Sequence, residues 1–369
     1  MVDFTVAIPT YNGESRLPEV LEGLRSQTGT EHITWEIIVV DNNSTDNTAN
    51  VVREYQANWP TTRLLRYSFE AEQGAAFARA RAVREASGTF IGFLDDDTVP
   101  SPDWLVAAYT FGQEHPAAGA YGSQIHGDFE VEPSASFRKV AYFLAIIERG
   151  SQAHRYEPRM KMLPPSAGLV VRKQAWVENV PSRPFLTGRA GRSMLTSEDL
   201  EALMYIQKAG WEIWYNPNMH ISHKIPRHRL ERSYLISLVQ GIGLARHHIR
   251  MLRLKPWQRP FIFPIGLAND LRKVIYHFIK YRKLLKNDIA AACEMEFLLS
   301  SLISPFYLWS NSLKTGLISL SHRNRQQSKL VTQSSEQLRS LSNTEHFPRE
   351  IFPVGNNSID HKAQGFVRK

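Results

Sequence analysis

Phe90-Ile91-Gly92-Phe93-Leu94-Asp95-Asp96-Asp97 is an apolar run that closes on three consecutive carboxylates. The run reads as a β-strand with the carboxylates at its C-terminal end. Adjacent anionic side chains repel one another, so a fold keeps them where something cationic meets them. Mg²⁺ or Mn²⁺ is one such partner, because it takes hard oxygen ligands from one or two carboxylates and from substrate phosphates. A solvated acidic turn ahead of Ser101-Pro102-Asp103 is the plainer alternative.

Two upstream stretches repeat the pattern. Val6-Ala7-Ile8-Pro9-Thr10-Tyr11-Asn12 and Ile37-Ile38-Val39-Val40-Asp41-Asn42-Asn43-Ser44-Thr45-Asp46 are apolar runs that end in polar turn residues. Each precedes a helical stripe, Leu17, Val20, Leu21 and Leu24 in one case, Val51, Val52 and Tyr55 in the other, with Asp46 expected as N-cap of the second. Leu64-Leu65-Arg66-Tyr67 leads in turn to an Ala-rich helix from Gly74 to Ala86. Strands alternating with helices give an α/β fold, a mostly parallel sheet with helices on both faces. Ligands of such sheets bind outside the carboxyl ends of the strands. Three polar clusters therefore converge on one edge: Pro9 to Asn12, Asp41 to Asp46, and Asp95 to Asp97.

No G-x-G-x-x-G follows the first strand and no G-x-x-x-x-G-K-[ST] occurs, so neither a dinucleotide site nor a P-loop is expected. A nucleotide site read by side chains, with a metal at the phosphates, remains.

These motifs resemble those of family-2 glycosyltransferases, whose nucleotide-sugar-binding domain has the GT-A fold. The resemblance rests on Ile8 to Asn12, Val40 to Asp46, Gln73-Gly74-Ala75-Ala76-Phe77-Ala78-Arg79, Phe93 to Asp97, Ser197-Glu198-Asp199 and Met219-His220-Ile221-Ser222-His223, in family order over roughly the first 225 residues. Asn42-Asn43 stands where the family often has Asp-Gly or Asp-Asn, and Glu72-Gln73 replaces the usual Asn before the glycine-containing helix. The chain is also similar to a cyanobacterial branch linked to hormogonium polysaccharide biosynthesis.

The resemblance implies roles. Pro9, Thr10, Tyr11, Asn12 and Asp41 would bind the donor; Asp41 would accept from a uracil-type N–H while Tyr11 covers the ring. Ordinary strand-end packing explains Tyr11 equally. Arg79 would lie near base and phosphates, or share a solvated helix face with Arg81 and Arg84. Asp95 would meet the ribose and Asp97 the metal. Asp96, the middle residue of this donor-binding triplet, is expected to turn away. Asp199 would be the catalytic base, since a hydroxyl is a poor nucleophile until a positioned carboxylate takes its proton, a 10²–10⁴-fold effect. Its alternative role is favourable charge in the first turn of a helix from Asp199 to Ala209. His223 would join the metal or diphosphate; His220 carries no assigned role. The activity implied is inverting, divalent-cation-dependent transfer of one sugar from a nucleoside-diphosphate sugar, of uridine type, to a glycan or lipid-linked acceptor in cell-surface or extracellular polysaccharide assembly. A sugar nucleotidyltransferase would need a Gly-rich basic loop after strand one, which is absent. An inactive nucleotide-sugar-binding scaffold is opposed by the intact Asp95, Asp97 and Asp199.

The 369 residues are 43% hydrophobic, enough for a large core. The single cysteine, Cys293, excludes an intrachain disulfide and fits a reducing compartment. No signal peptide is read before the first strand. The expected organisation is a catalytic domain over 1–225, a basic aromatic helical extension over 226–320 and a polar, disordered tail over 321–369.

The net charge of +8 is uneven. From Arg227 to Lys286, fourteen Lys/Arg face only Glu231 and Asp270, a net of +12, which leaves −4 elsewhere. Leu271, Val274, Ile275 and Phe278 recur there at helical spacing among Arg272, Lys273, Lys280, Arg282 and Lys283. Such a helix suits an anionic membrane surface; its alternative is a helix packed on the catalytic domain with a solvated basic face. No nucleic-acid-binding motif is present, and nucleic acid is not an expected partner. The apolar stretch 297–320 is interrupted by Pro305, Asn311 and Lys314 and reads as a buried or interfacial helix rather than a membrane span. The location expected is cytoplasmic, peripheral at the inner face of the plasma membrane.

Overall fold

The computed structural model describes residues 2–61, 63–158, 162–188 and 195–311. β1 (Phe4–Thr10) and β2 (Trp35–Asp41) are almost wholly buried and pair in parallel, from Phe4 opposite Trp35 to Thr10 opposite Asp41. β3 (Leu64–Phe69) adds to β2, and β4 (Phe90–Phe93) to β1, also in parallel. Near-continuous apolar runs are what a sheet covered on both faces requires.

The other half of the sheet is mixed. β5 (Thr98–Pro100), β6 (Ala118–Phe129), β7 (His154–Arg155), β8 (Leu169–Arg172) and β9 (Glu212–Ile225) complete the order β3-β2-β1-β4-β8-β6-β9-β5, with β7 beside β9. β8 is antiparallel to β4 and β6, β9 parallel to β6, and β5 antiparallel to β9. The last pairing sets Thr98 opposite His223. A histidine from a distant stretch thus arrives beside the acidic triplet.

The surrounding helices are α1 (Leu17–Arg25), α2 (Thr48–Ala57), α3 (Ala75–Glu85), α4 (Trp104–Glu114), α5 (Lys173–Asn179) and α6 (Glu198–Lys208). α1 buries the expected stripe of Leu17, Val20, Leu21 and Leu24. Asp46 is not the N-cap of α2; Asn47 is. Asp46 instead accepts from the Thr48 N–H at 3.1 Å and from the Glu14 N–H at 3.1 Å, so its carboxylate ties the two loops as well as the helix start. At the start of α3, Gly74 has φ +142° and a Cβ there would lie 2.5 Å from the Thr187 carbonyl oxygen. Only glycine fits that approach.

Residues from Met1 to Trp309 form one compact unit. Its C-terminal part is α7 (Arg232–Leu252), α8 (Arg259–Tyr281) and α9 (Ile289–Asn311). A second apolar cluster joins α7 (Leu235, Leu238, Val239) and α9 (Ala290, Cys293) to Phe137, Phe143 and Leu144. α7 and α9 approach closely at Gly243, where a Cβ would lie 2.5 Å from that of Ser300. α9 has 23 residues; its most apolar 18-residue window has a mean hydropathy of 1.4, and half of that window is buried. The expected tail over 321–369 and the end of the apolar stretch, 312–320, lie outside the described residues.

Candidate active site

The three carboxylates diverge, and each meets its own arginine. Asp95 Oδ1 lies 3.3 Å from Arg79, an Asp96 oxygen 2.9 Å from Arg16, and Asp97 Oδ2 2.7 Å from Arg229. The repulsion legible in the sequence is therefore offset within the fold by three guanidinium groups from three separate elements.

Asp95 belongs to the cluster around α6. Arg79 on α3 donates to Glu198 at 2.7 Å and to the Ser166 hydroxyl at 2.7 Å. Asp199 accepts from the Ser166 N–H at 3.0 Å through Oδ2 and from the Leu200 N–H at 2.8 Å through Oδ1. Asp95 and Asp199, about a hundred residues apart in sequence, are linked through Arg79 and Ser166. Ser197, just before α6, adopts φ +82°, a left-handed conformation seldom used by residues other than glycine. Such strain concentrates where a turn must aim side chains at one point.

The electrostatics follow from burial. Desolvation pushes the Asp199 carboxyl up to about 6, with repulsion from Glu198 adding to it and Arg79 and the two N–H groups opposing. Burial also raises Asp95, against the attraction of Arg79 and with the repulsion of Asp97. Burial would raise Asp97 too, but His223 and the Arg229 guanidinium beside it hold it well below the usual carboxylate range. Arg79 stays above its ordinary value because Glu198, Asp95 and Asp199 outweigh its burial.

Asp96 is occupied on the far side, accepting from the Thr10 hydroxyl at 2.6 Å and from Arg16 Nε at 2.9 Å. Asn12, at φ +50°, accepts from the Thr45 N–H at 2.8 Å and so joins the β1 and β2 loops. Pro9 lies in β1 opposite Val40. Asp41 accepts from the Tyr67 hydroxyl at 2.8 Å and the Ser44 N–H at 2.9 Å, while the Tyr11 ring is half exposed at the strand end. Asn42, one of the departures from the family pattern, accepts from the Gly74 N–H at 2.7 Å and donates to the Glu72 carbonyl at 2.7 Å. It clamps the loop that precedes α3.

Asp97, His223 and Arg229 form the second cluster. His223 Nε2 is 3.6 Å from Asp97 Oδ1 and 3.2 Å from Arg229 Nη1. His223 Nδ1 is buried without a hydrogen-bond partner. A cavity of about 450 Å³ opens beside Asp96 and Asp97, lined also by Arg16, Glu19, Lys224 and Arg229. Among the described residues no three His, Cys, Asp or Glu side chains gather closely enough to enclose an ion. A Mg²⁺ or Mn²⁺ ion that takes most of its ligands from phosphate and water needs only one or two protein groups. Asp97, with His223 beside it, fits that lesser demand once Arg229 yields. His220 lies apart, its ring stacked on His126 with nitrogens 3.0 Å apart.

Sequence reasoning did not single out Arg16, Ser166, Glu198 or Arg229. Glu198 was visible inside a motif. Arg229 was hidden in a basic stretch whose charge suggested a different partner. Arg16 and Ser166 carried no signal, because one arginine or serine in a loop has no diagnostic neighbours.

With this geometry in place, comparison with known proteins is informative. Residues 5–172 match the family model described as Glycosyl transferase family 2. The chain is 34% identical over 110 residues to the uncharacterized glycosyltransferase YibD of Escherichia coli (strain K12), covering 30% of this chain and 30% of that protein. It is 37% identical over 101 residues to the UDP-Glc:α-D-GlcNAc-diphosphoundecaprenol β-1,3-glucosyltransferase WfgD of Escherichia coli, covering 27% and 37%. The aligned part thus spans well under half of these relatives. Among solved structures, the mannosyltransferase PcManGT of Pyrobaculum calidifontis, in complex with GDP-Man and Mn²⁺, superposes with a TM-score of 0.53 at 19% identity, covering 82% of this chain and 87% of that one. The match to family 2 thus covers residues 5–172, somewhat under half of the chain, and the fold is GT-A.

Proposed function

We propose that this chain transfers a single sugar, with inversion, from a nucleoside-diphosphate sugar to an acceptor hydroxyl during assembly of a surface or extracellular glycan. The observation that carries the reading is the joining of Asp199 to Asp95 through Ser166 and Arg79. It puts a carboxylate of raised proton affinity next to the strand end where the donor would lie. Asp199 takes the proton of the attacking hydroxyl. The Ser166 and Leu200 N–H groups hold both of its oxygens in place, and each oxygen keeps a lone pair for that proton. Attack on the anomeric carbon from the face opposite the departing diphosphate inverts its configuration.

Pro9, Thr10, Tyr11, Asn12, Asp41, Arg79, Asp95 and Asp96 frame the donor site in this reading. Tyr11 and Asp41 face the base, which the resemblance suggests is uracil, and Asp95 faces the ribose. Asp96 acts by fixing Arg16 and Thr10 at the edge of the site. Asp97 and His223 would hold a divalent cation, which when bound supplies positive charge to the departing nucleoside diphosphate. WfgD is named for a diphosphoundecaprenol-linked acceptor; the acceptor here is a glycan or a lipid-linked glycan of that kind.

A donor screen tests the proposal: nucleotide sugars with Mn²⁺ or Mg²⁺, released nucleoside diphosphate as the readout, and NMR of the anomeric proton of the product. Release from no donor would sink the reading. Retained configuration would sink the one-step mechanism, and full turnover in excess chelator would sink the cation.

A further inference from the structure

α8 is built inside out. Its only buried side chains are Asp270 and His277. Asp270 accepts from Arg250 of α7 at 2.8 and 3.0 Å, and His277 Nε2 lies 3.0 Å from the Ala291 carbonyl of α9. The helix is thus fastened to the protein by polar groups. Its large apolar side chains point outward: Phe261, Ile265, Ile275, Tyr276, Phe278 and Ile279 are all at least half exposed. Ordinary amphipathic helices do the reverse, burying the apolar stripe against the core.

The same region accounts for most of the large exposed apolar residues among those described, since Trp257 on the approach to α8 and Ile303, Phe306 and Trp309 on α9 are also at least half exposed. Contiguous apolar surface of this kind marks an interaction site. The charge around it decides what it meets. Lys255, Arg272, Lys280, Arg282, Lys283 and Lys286 are exposed, and the single acidic residue of α8 is the buried Asp270. Lys280 lies 5.8 Å from the Tyr276 ring and 5.0 Å from the Tyr281 ring, so cation and aromatic share one face.

We infer that α8, with Trp257 and the outer face of α9, docks on an anionic lipid bilayer, its apolar side chains entering the interface and its Lys and Arg meeting the headgroups. A protein groove would have to supply both the acidity and the apolar depth, whereas a bilayer surface supplies both everywhere. That a lipid-linked acceptor waits there rests on the proposed function; the docking itself does not, and it is measured without turnover.

The test is co-sedimentation of the full chain with phosphatidylcholine vesicles, with and without phosphatidylglycerol. Binding should require the anionic lipid and weaken as salt rises. Charge reversal in R272E/R282E/K283E should lower partitioning about tenfold or more. F261S/I279S, which changes only exposed side chains, should retain the salt-sensitive part and lose the part that survives high salt. Unfolding curves matching the unsubstituted chain confirm that both variants fold. Failure of the unsubstituted chain to bind, or equal binding by the charge-reversed variant, would overturn the inference. A salt-independent dimer or trimer formed through this face, with no vesicle binding, would overturn it in favour of a second copy, and vesicle binding gained only on truncation after residue 311 would do so in favour of the chain's own C-terminal segment.

Discussion

Arg229 Nη2 lies 2.7 Å from Asp97 Oδ2, in the short turn that leads into α7. The carboxylate that the motif assigns to a metal is thus already neutralised by a side chain from the basic extension. In the proposed reading, a divalent cation and the guanidinium would compete for one oxygen. Replacing Arg229 by Gln should therefore tighten binding of Mn²⁺ alone by about tenfold, as expected when one partly screened unit charge is removed. Electron paramagnetic resonance of free Mn²⁺ reads this directly. Asp97→Asn should abolish that binding and most turnover while leaving a folded protein. Unchanged Mn²⁺ affinity in R229Q would make the contact purely structural.

Asp199→Asn keeps the side chain's size and one of the two hydrogen bonds accepted from the Ser166 and Leu200 N–H groups, but it cannot take a proton. Turnover should fall by about 10²-fold or more, with donor affinity nearly constant. Calorimetric donor affinity that falls in step with turnover would assign Asp199 to binding instead.

The same variant should lose less stability than the parent as pH rises. The folded Asp199 titrates at about 6, above the ~3.9 of an unfolded aspartate. The folded state therefore binds its proton more tightly, and stability is lost as pH rises from about 4 through about 6. The asparagine variant lacks that pH-dependent cost, so its stability relative to the parent should shift upward by on the order of 1–3 kcal/mol from pH 4 to pH 8. Urea unfolding of both proteins at the two pH values measures the difference, and an equal gain at pH 4 would contradict its electrostatic origin.

Catalysis should show the same titration. The base works only when ionised, so kcat/KM should drop about tenfold per pH unit below about 6 and level off above it. Asp199→Glu, if active, should move the inflection. A wild-type inflection near the ordinary carboxylate value would mean that Asp199 is not the group that titrates in turnover.

Arg79 holds Glu198, Asp95 and Ser166 at once. Arg79→Met would leave two poorly solvated carboxylates without their partner and should cost about 3–5 kcal/mol, seen as a large fall in Tm. Arg79→Lys restores the charge but not the fork that reaches three groups, so recovery should be partial. Full recovery by Lys would show that charge alone matters there.

The parallel half of the sheet was legible because its strands are long β-branched runs ending in polar turns, and their helices carry clean apolar stripes. Asp95, Asp97 and Asp199 stood out as candidates through motifs that resemble those of family-2 glycosyltransferases; the link from Asp95 to Asp199 through Arg79 and Ser166 was not legible. The N-cap of α2 was misplaced by one residue because Asp46 and Asn47 are both good caps, and the choice depended on Glu14 across the loop. The stripe Leu271, Val274, Ile275 and Phe278 was legible as a helix face, but periodicity does not say which way a face points.

By itself, then, the sequence determined the element order of the parallel half, the strand-end carboxylates and the lopsided charge of the extension, all of which are local or compositional. The tertiary structure alone decided which cation meets which carboxylate, and that α8 turns its polar side inward. Arg16 and Arg79 lie 80 and 119 residues from Asp96 and Glu198, and the packing that joins Arg79, Glu198 and Asp199 sets the proton affinity of Asp199. Spacing along a chain carries no information about desolvation; only the packed fold creates it.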